Sequence, residues 1–107
     1  MHNPGELSMC SKRDLDVHTI TLVGELDLAT AGDVEHELRG AEEAGATTIV
    51  VDLAGLTFLD SSGVRLLILA DARSRSNGHD LSLRRPPQHV RRVLEICGIT
   101  EHLSLAD

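Results

Sequence analysis

The feature that most constrains this chain is Thr47-Thr48-Ile49-Val50-Val51-Asp52-Leu53, a nearly continuous run of β-branched and apolar residues. A half-buried strand alternates apolar and polar residues, whereas a strand covered on both faces does not need to. The run therefore reads as a central strand with cover on both sides. The residues after this run are equally informative. Ala54 to Leu59 reads as a loop, Asp60-Ser61-Ser62-Gly63 as a junction, and Val64 to Ser76 as a strongly apolar helix stopped by Asn77-Gly78.

The rest of the chain alternates in the same way. Leu7 to Ser11 is a candidate first strand, Lys12 to Asp16 is turn-like, and Val17 to Val23 is a β-branched hairpin partner closed by Gly24-Glu25-Leu26-Asp27. Thr30-Ala31-Gly32-Asp33 has the pattern of a capping box, with Ala31, Val34, Leu38 and Ala41 at helical spacing behind it and Gly45 as the stop. Leu81-Ser82-Leu83 reads as a short strand. Pro86-Pro87 opens a helix that buries Val90, Val93, Leu94 and Cys97, and Leu103-Ser104-Leu105 is a last strand or a frayed tail. The order β, β, α, β, α, β, α predicts an α/β domain with a mixed, largely parallel sheet of four or five strands. Three or more helices lie mainly on one side. With 107 residues the expectation is one domain over 1–107, with 1–6 flexible.

Composition removes whole classes of function. Phe58 is the single aromatic residue, too few for stacking on single-stranded nucleic acid. The net charge of −7 disfavours DNA and anionic membranes. Residues 1–60 carry twelve Asp/Glu against three Lys/Arg, so the first helix is either a solvated acidic face or a surface for a basic partner. The longest apolar run, Leu66 to Ala70, is far short of the ~20 residues of a membrane span. The first residues show no export pattern, so the expected compartment is the cytoplasm. Cys10 and Cys97 read as reduced thiols.

Most reactive motifs fail on inspection. The stretch Gly40 to Gly45 has Ala46 where a phosphate loop needs Lys. The six His residues lack metal-ligand spacing, so no metal and no cofactor are expected. A serine hydrolase elbow needs a glycine two residues before the nucleophile, and Leu59 or Asp60 stands there. A triad of Ser61 or Ser62 with His79 or His102 stays open. Arg84, Arg85, Arg91 and Arg92 form a local basic cluster, read as a solvated surface or a phosphate or partner contact. That leaves Asp60-Ser61-Ser62-Gly63. Asp60 can cap the following helix, and Ser61 then falls beside free amides at the positive end of the helix dipole, where a phosphate on its hydroxyl is tolerated. The same pattern also serves as an ordinary serine-rich cap.

Val51-Asp52-Leu53-Ala54-Gly55-Leu56-Thr57-Phe58-Leu59-Asp60-Ser61-Ser62-Gly63-Val64 closely resembles the signature of STAS-domain anti-sigma factor antagonists. Gly24-Glu25-Leu26-Asp27 resembles that family's second-strand exit, and Arg84 through Gly98 its last strand and helix. The resemblance covers nearly everything beyond Leu7. It implies a binding module, not an enzyme. The unphosphorylated form binds an anti-sigma factor that is also a Ser/Thr kinase, displacing a sigma factor. The kinase then phosphorylates the first serine of the motif, Ser61, and a Ser/Thr phosphatase resets it. STAS modules also serve transport and stress-sensing complexes, so an accessory subunit without phospho-switching is the alternative. No direct contact with nucleic acid or membrane is implied, and a monomer or weak dimer is expected.

The expected partner-binding residues are Asp27, Asp60, Ser61, Ser62, Gly63, Arg65, Leu66 and Leu69. Arg65 departs from the family pattern, in which many relatives carry a small residue. On a helical wheel with Val64 at zero, Leu67 and Ile68 fall near ~300° and ~40° and share its core-facing stripe. Leu66 and Leu69 fall near ~200° and ~140°, on the side of Arg65 and Arg73. Those two leucines are either covered by a neighbouring helix or form an apolar docking strip beside Ser61. The strip is the reading adopted, because a switch works best when the modified residue adjoins the contact surface.

Overall fold

The structure is a computed structural model that describes residues 6–99 and 103–106. Its elements are β1 (Leu7–Asp14), β2 (Val17–Leu26), α1 (Ala31–Glu43), β3 (Thr48–Leu59), α2 (Ser61–Ser76), β4 (Asp80–Arg84), α3 (Gln88–Ile96) and β5 (Ser104–Ala106). The sheet has five strands in the order β1-β2-β3-β4-β5. β1 and β2 form an antiparallel hairpin, and β2, β3, β4 and β5 run parallel. Each parallel neighbour is reached through one helix, as the alternation in the sequence requires. The expectation that residues 1–6 are flexible falls, apart from Glu6, outside the described residues. Glu6 itself accepts a hydrogen bond from Glu25 N–H at 2.8 Å.

Register explains where the core sits. Ile20, Val51, Leu83 and Leu105 are consecutive partners across four strands and form one row. The first three are fully buried, as are Leu22, Leu53, Val34, Leu38, Leu67, Val90 and Leu94 in the same apolar cluster. The adjacent row, Cys10, Thr21, Asp52 and Arg84, lies on the opposite face because successive strand residues alternate sides. Cys10 is exposed, and Thr21 and Arg84 are not fully buried. The helices thus cover one face of the sheet.

This corrects the reading of Thr47–Leu53 as a strand covered on both faces, while the helices lie on one side as expected. Ile49, Val51 and Leu53 point into the core, while Val50 stays half-buried on the open face. On that face Asp52 is shielded by arginines. The carboxylate, 2% exposed, accepts hydrogen bonds from Arg85 and, at 3.5 Å, from Arg84. Burial by itself raises the Asp52 carboxyl. The Arg85 hydrogen bond, the Ala54 N–H, the Arg85 charge and the Arg84 hydrogen bond outweigh it and hold the group below its usual value. Two of the four clustered arginines are therefore internal counter-ions.

Several boundaries also move. β1 continues through Asp14, and the turn shrinks to Leu15 and Asp16. The expected loop Ala54–Leu59 is the second half of β3, paired with Val23–Leu26 across two irregularities in the register, one between Thr21 and Val23 and one between Gly24 and Glu25. Thr30 does not cap α1 with its side chain. Its hydroxyl donates to the Glu25 carbonyl at 2.9 Å and accepts from Asp27 N–H at 3.0 Å. The acidic face of α1 is partly neutralised across the helix pair. Arg73 of α2 makes a two-point contact with Glu42 at 2.8 Å and reaches Glu35 at 3.0 Å. The Glu42 hydrogen bond is the main cause that raises the Arg73 guanidinium pKa.

Candidate functional site

The C-terminal ends of β2 and β3 meet the N-terminus of α2. Asp60 N–H donates to the Leu26 carbonyl at 3.2 Å, joining the strand ends. Asp60 is extended, and its Oδ1 accepts from Ser62 N–H at 2.9 Å and Gly63 N–H at 3.1 Å. This is an N-cap, and it lets the helix begin at Ser61, three residues before the apolar run. The second oxygen of Asp60 accepts from Leu28 N–H at 3.3 Å, which ties the β2–α1 loop to the same corner. The amides of Ser62 and Gly63 are thus occupied, which corrects the expectation of free amides beside Ser61.

Gly63 has a steric reason to be glycine. A Cβ there would lie 2.6 Å from Leu59 Cδ1 and 2.7 Å from Leu26 Cγ. The first turn of α2 sits directly on the ends of both strands. Asp27 completes the loop from below, its Oδ1 accepting from Ala29 N–H at 2.9 Å and Thr30 N–H at 3.1 Å.

Ser61 is exposed on the first turn and Ser62 is half-buried. Arg65, one turn further, is exposed. Leu69 is 49% exposed and Ile68 39%, but Leu66 is 6% exposed and belongs to the core. The wheel placed Ile68 inside and Leu66 outside, and the structure reverses both. The buried positions Gly63, Val64, Leu66, Leu67, Ala70, Asp71 and Ser74 centre near ~270° on that wheel. The stripe is rotated because α1 packs beside α2 and covers the Leu66 side. The outward strip is therefore Arg65, Ile68 and Leu69. Two further residues named as partner-binding are buried like Leu66: Asp27, at 3% exposed, and Gly63. They shape the surface without presenting side chains to it.

Two shallow cavities flank Ser62. One, of about 540 Å³, is lined by Ser61, Arg65, Ile68, Leu69 and Cys97 among others. The second, of about 550 Å³, lies between α1 and α2 with Leu28 at its edge. Leu28 is 79% exposed. It was not singled out in the sequence, and Ile68 and Cys97, read there as core-facing and buried, are both exposed. An apolar residue inside a polar cap loop was the available signal for Leu28, whereas only the tertiary fold brings Cys97 of the α3 end beside Ser61. The triad reading fails for His79, which follows the far end of sixteen-residue α2, about 24 Å along the axis from Ser61. His102 lies outside the described residues. Among the described residues no group of three or more potential metal ligands occurs, and no helix is long and apolar enough to cross a membrane.

A five-stranded mixed sheet with helices on one face, and a capped Asp-Ser-Ser-Gly corner at its parallel end, defines a STAS fold. The chain belongs to that family: the family described as "Mlab, STAS domain" matches residues 11–105. It is 31% identical to a Bordetella bronchiseptica protein, BtrV, assigned to the anti-sigma factor antagonists, over 80% of this chain and 74% of that protein. Among solved structures, the antagonist SpoIIAA in its unphosphorylated form superposes with a TM-score of 0.80 at 26% identity. That match covers 94% of this chain and 89% of SpoIIAA. An anti-sigma factor antagonist from Mycobacterium paratuberculosis shares the fold, with a TM-score of 0.83 at 19% identity over 99% of this chain and 90% of that one.

Proposed function

We propose that this chain is an anti-sigma factor antagonist switched by phosphorylation of Ser61. The unphosphorylated form binds an anti-sigma factor with Ser/Thr kinase activity, and a sigma factor is freed. The observation that carries the reading is an exposed serine hydroxyl at the first position of α2, in one cavity with the outward apolar side chains Ile68 and Leu69, with Leu28 on the neighbouring cavity that Ser62 and Leu69 share. Names of relatives support the class of partner, and SpoIIAA has been solved in both unphosphorylated and phosphorylated forms.

In this mechanism the chain is substrate and switch, and the partner is the catalyst. The partner uses ATP and magnesium. The Ser61 oxygen forms a bond to the γ-phosphorus, the bond from that phosphorus to the β–γ bridging oxygen breaks, ADP leaves and the hydroxyl proton passes to the kinase. A Ser/Thr phosphatase hydrolyses the ester and restores the hydroxyl. The phosphate adds roughly −1.5 to −2 charges at neutral pH where the partner fits a neutral serine. A mismatch of about 3 kcal/mol weakens binding roughly a hundredfold. The module acts as one domain over 1–107, in the cytoplasm, as a monomer or weak dimer.

The test is capture of partners from the native cell with and without ATP, followed by mass spectrometry. The expected result is a kinase-type anti-sigma factor that phosphorylates Ser61. Phosphate on Ser62 alone refutes the site, and capture of a membrane permease instead of a kinase refutes the role. Ser61→Ala binds and escapes the switch, whereas Ser61→Asp binds poorly.

A further inference from the structure

We propose that a phosphate on Ser61 is bound in cis by Arg65, one turn along α2, so that this chain carries its own counter-ion for the modified state. The inference rests on Ser61 as the phosphate acceptor and adds what the modified side chain binds.

Three observations carry it. First, α2 begins at Ser61, so Arg65 stands four residues on, and residues at that spacing are surface neighbours with Cβ atoms about 5–6 Å apart. Helical side chains lean towards the N-terminus, which brings a long side chain back over the residue one turn earlier. Second, both residues are exposed and line the same cavity of about 540 Å³. Third, Arg65 has no carboxylate partner among the described residues, whereas Arg39, Arg73 and Arg75 each hold one.

The charges around Ser61 leave few alternatives. The Ser62 and Gly63 amides, which an anion at a helix start would use, are taken by Asp60. Asp60 itself repels a phosphate. Asp27, from the β2–α1 loop, is buried and engaged with the amides of Ala29 and Thr30. On α1, Glu35 is paired with Arg39 and Arg73. From the α3 end, Cys97 is the contributor to the cavity wall. The guanidinium of Arg65 is the cation placed to neutralise the new charge, and its planar fork suits a phosphate with two parallel hydrogen bonds.

The experiment installs phosphoserine at position 61 of the full chain during translation, without any kinase, and follows the phosphate by phosphorus NMR against pH. The phosphate's second ionisation normally falls near pH 6. It is expected about half a pH unit lower in the parent than in Arg65→Gln, with Arg65→Lys close to the parent. A second measurement is made against salt: the gap between the parent and Arg65→Gln midpoints should narrow as salt is raised. Equal midpoints in parent and Arg65→Gln at low salt, or a gap indifferent to salt, overturn the proposal. Because the phosphate is installed directly, failure here is distinct from failure of the partner kinase to modify Ser61.

Discussion

Asp60→Ala removes the acceptor that starts α2 and leaves the backbone bond from residue 60 N–H to the Leu26 carbonyl available. Two amides, of Ser62 and Gly63, lose their partner at 2.9 and 3.1 Å. The loss of an N-cap costs typically ~1 and up to ~2 kcal/mol. Loss of the negative charge at a helix start is part of that figure, worth about 0.3–1 kcal/mol. The Leu28 N–H bond to the second oxygen is long, at 3.3 Å, and its loop is exposed, so water replaces it at little cost. The expected total is about 1.5 kcal/mol. At about 4–8 °C per kcal/mol for a domain near this size, the melting temperature falls by roughly 6–12 °C. Asp60→Asn keeps an oxygen for the two amides and loses only the charge, so its fall is about 1–8 °C and smaller than that of Asp60→Ala. Thermal denaturation by circular dichroism at pH 7 measures both. Equal falls for the two variants would refute the cap as the main role. An unchanged Asp60→Ala would refute it altogether.

Leu69→Asp should leave the melting temperature nearly unchanged and weaken anti-sigma binding at least tenfold by titration calorimetry, because Leu69 is outward while the contact is worth ~1.5–3 kcal/mol. Leu66→Asp places a charge in the core and should abolish folding; a folded, binding-impaired Leu66→Asp would restore the original two-leucine strip. Gly63→Ala forces a Cβ against Leu26 and Leu59 and should cost ~1–3 kcal/mol in chemical denaturation, with no loss marking the corner as more yielding than its packing implies. For Asp52, the folded carboxyl sits below its unfolded value, so its stabilisation is present above about pH 4 and is lost as pH falls further. Asp52→Asn should lower stability at pH 7 by about 1–2 kcal/mol, discounted for the exposed arginine ends, and flatten the acid limb of the stability curve. An acid limb identical to the parent's would count against it.

The elements of the fold were legible because its periodicities are strong. Ile20, Leu22, Ile49, Val51, Leu81 and Leu83 are apolar at strand spacing, and Val34, Leu38 and Ala41 repeat at helix spacing. That the second face of β3 is open, with Asp52 shielded by arginines, was not legible. Asp52 breaks the apolar run, but its arginine partners come from the end of β4, and only the register places them opposite. The Ala54–Leu59 segment looked like a loop because Ala54 and Gly55, at its start, are poor strand signals. Its strand geometry comes from pairing to β2. At the site, Asp60 as a cap and Ser61 as the exposed residue followed from local chemistry. The orientation of α2 did not, since a wheel fixes relative angles and leaves the absolute rotation to whatever packs beside the helix.

That rotation decides what surface the switch controls. With Leu66 under α1, the apolar residues left outside are Ile68 and Leu69 on α2 and Leu28 on the β2–α1 loop. They belong to different segments and are held in one corner by Asp60, whose two oxygens serve both the α2 amides and the Leu28 amide. Ser61 stands beside that corner on a helix start fixed by the Asp60 cap. Gly63 fixes the depth at which the first turn rests on Leu26 and Leu59, and hence how far the serine stands out. On the proposed reading, a partner that docks on this corner covers Ser61 together with Ile68 and Leu69, and modification of that one hydroxyl would disturb the contact while leaving the fold beneath unchanged.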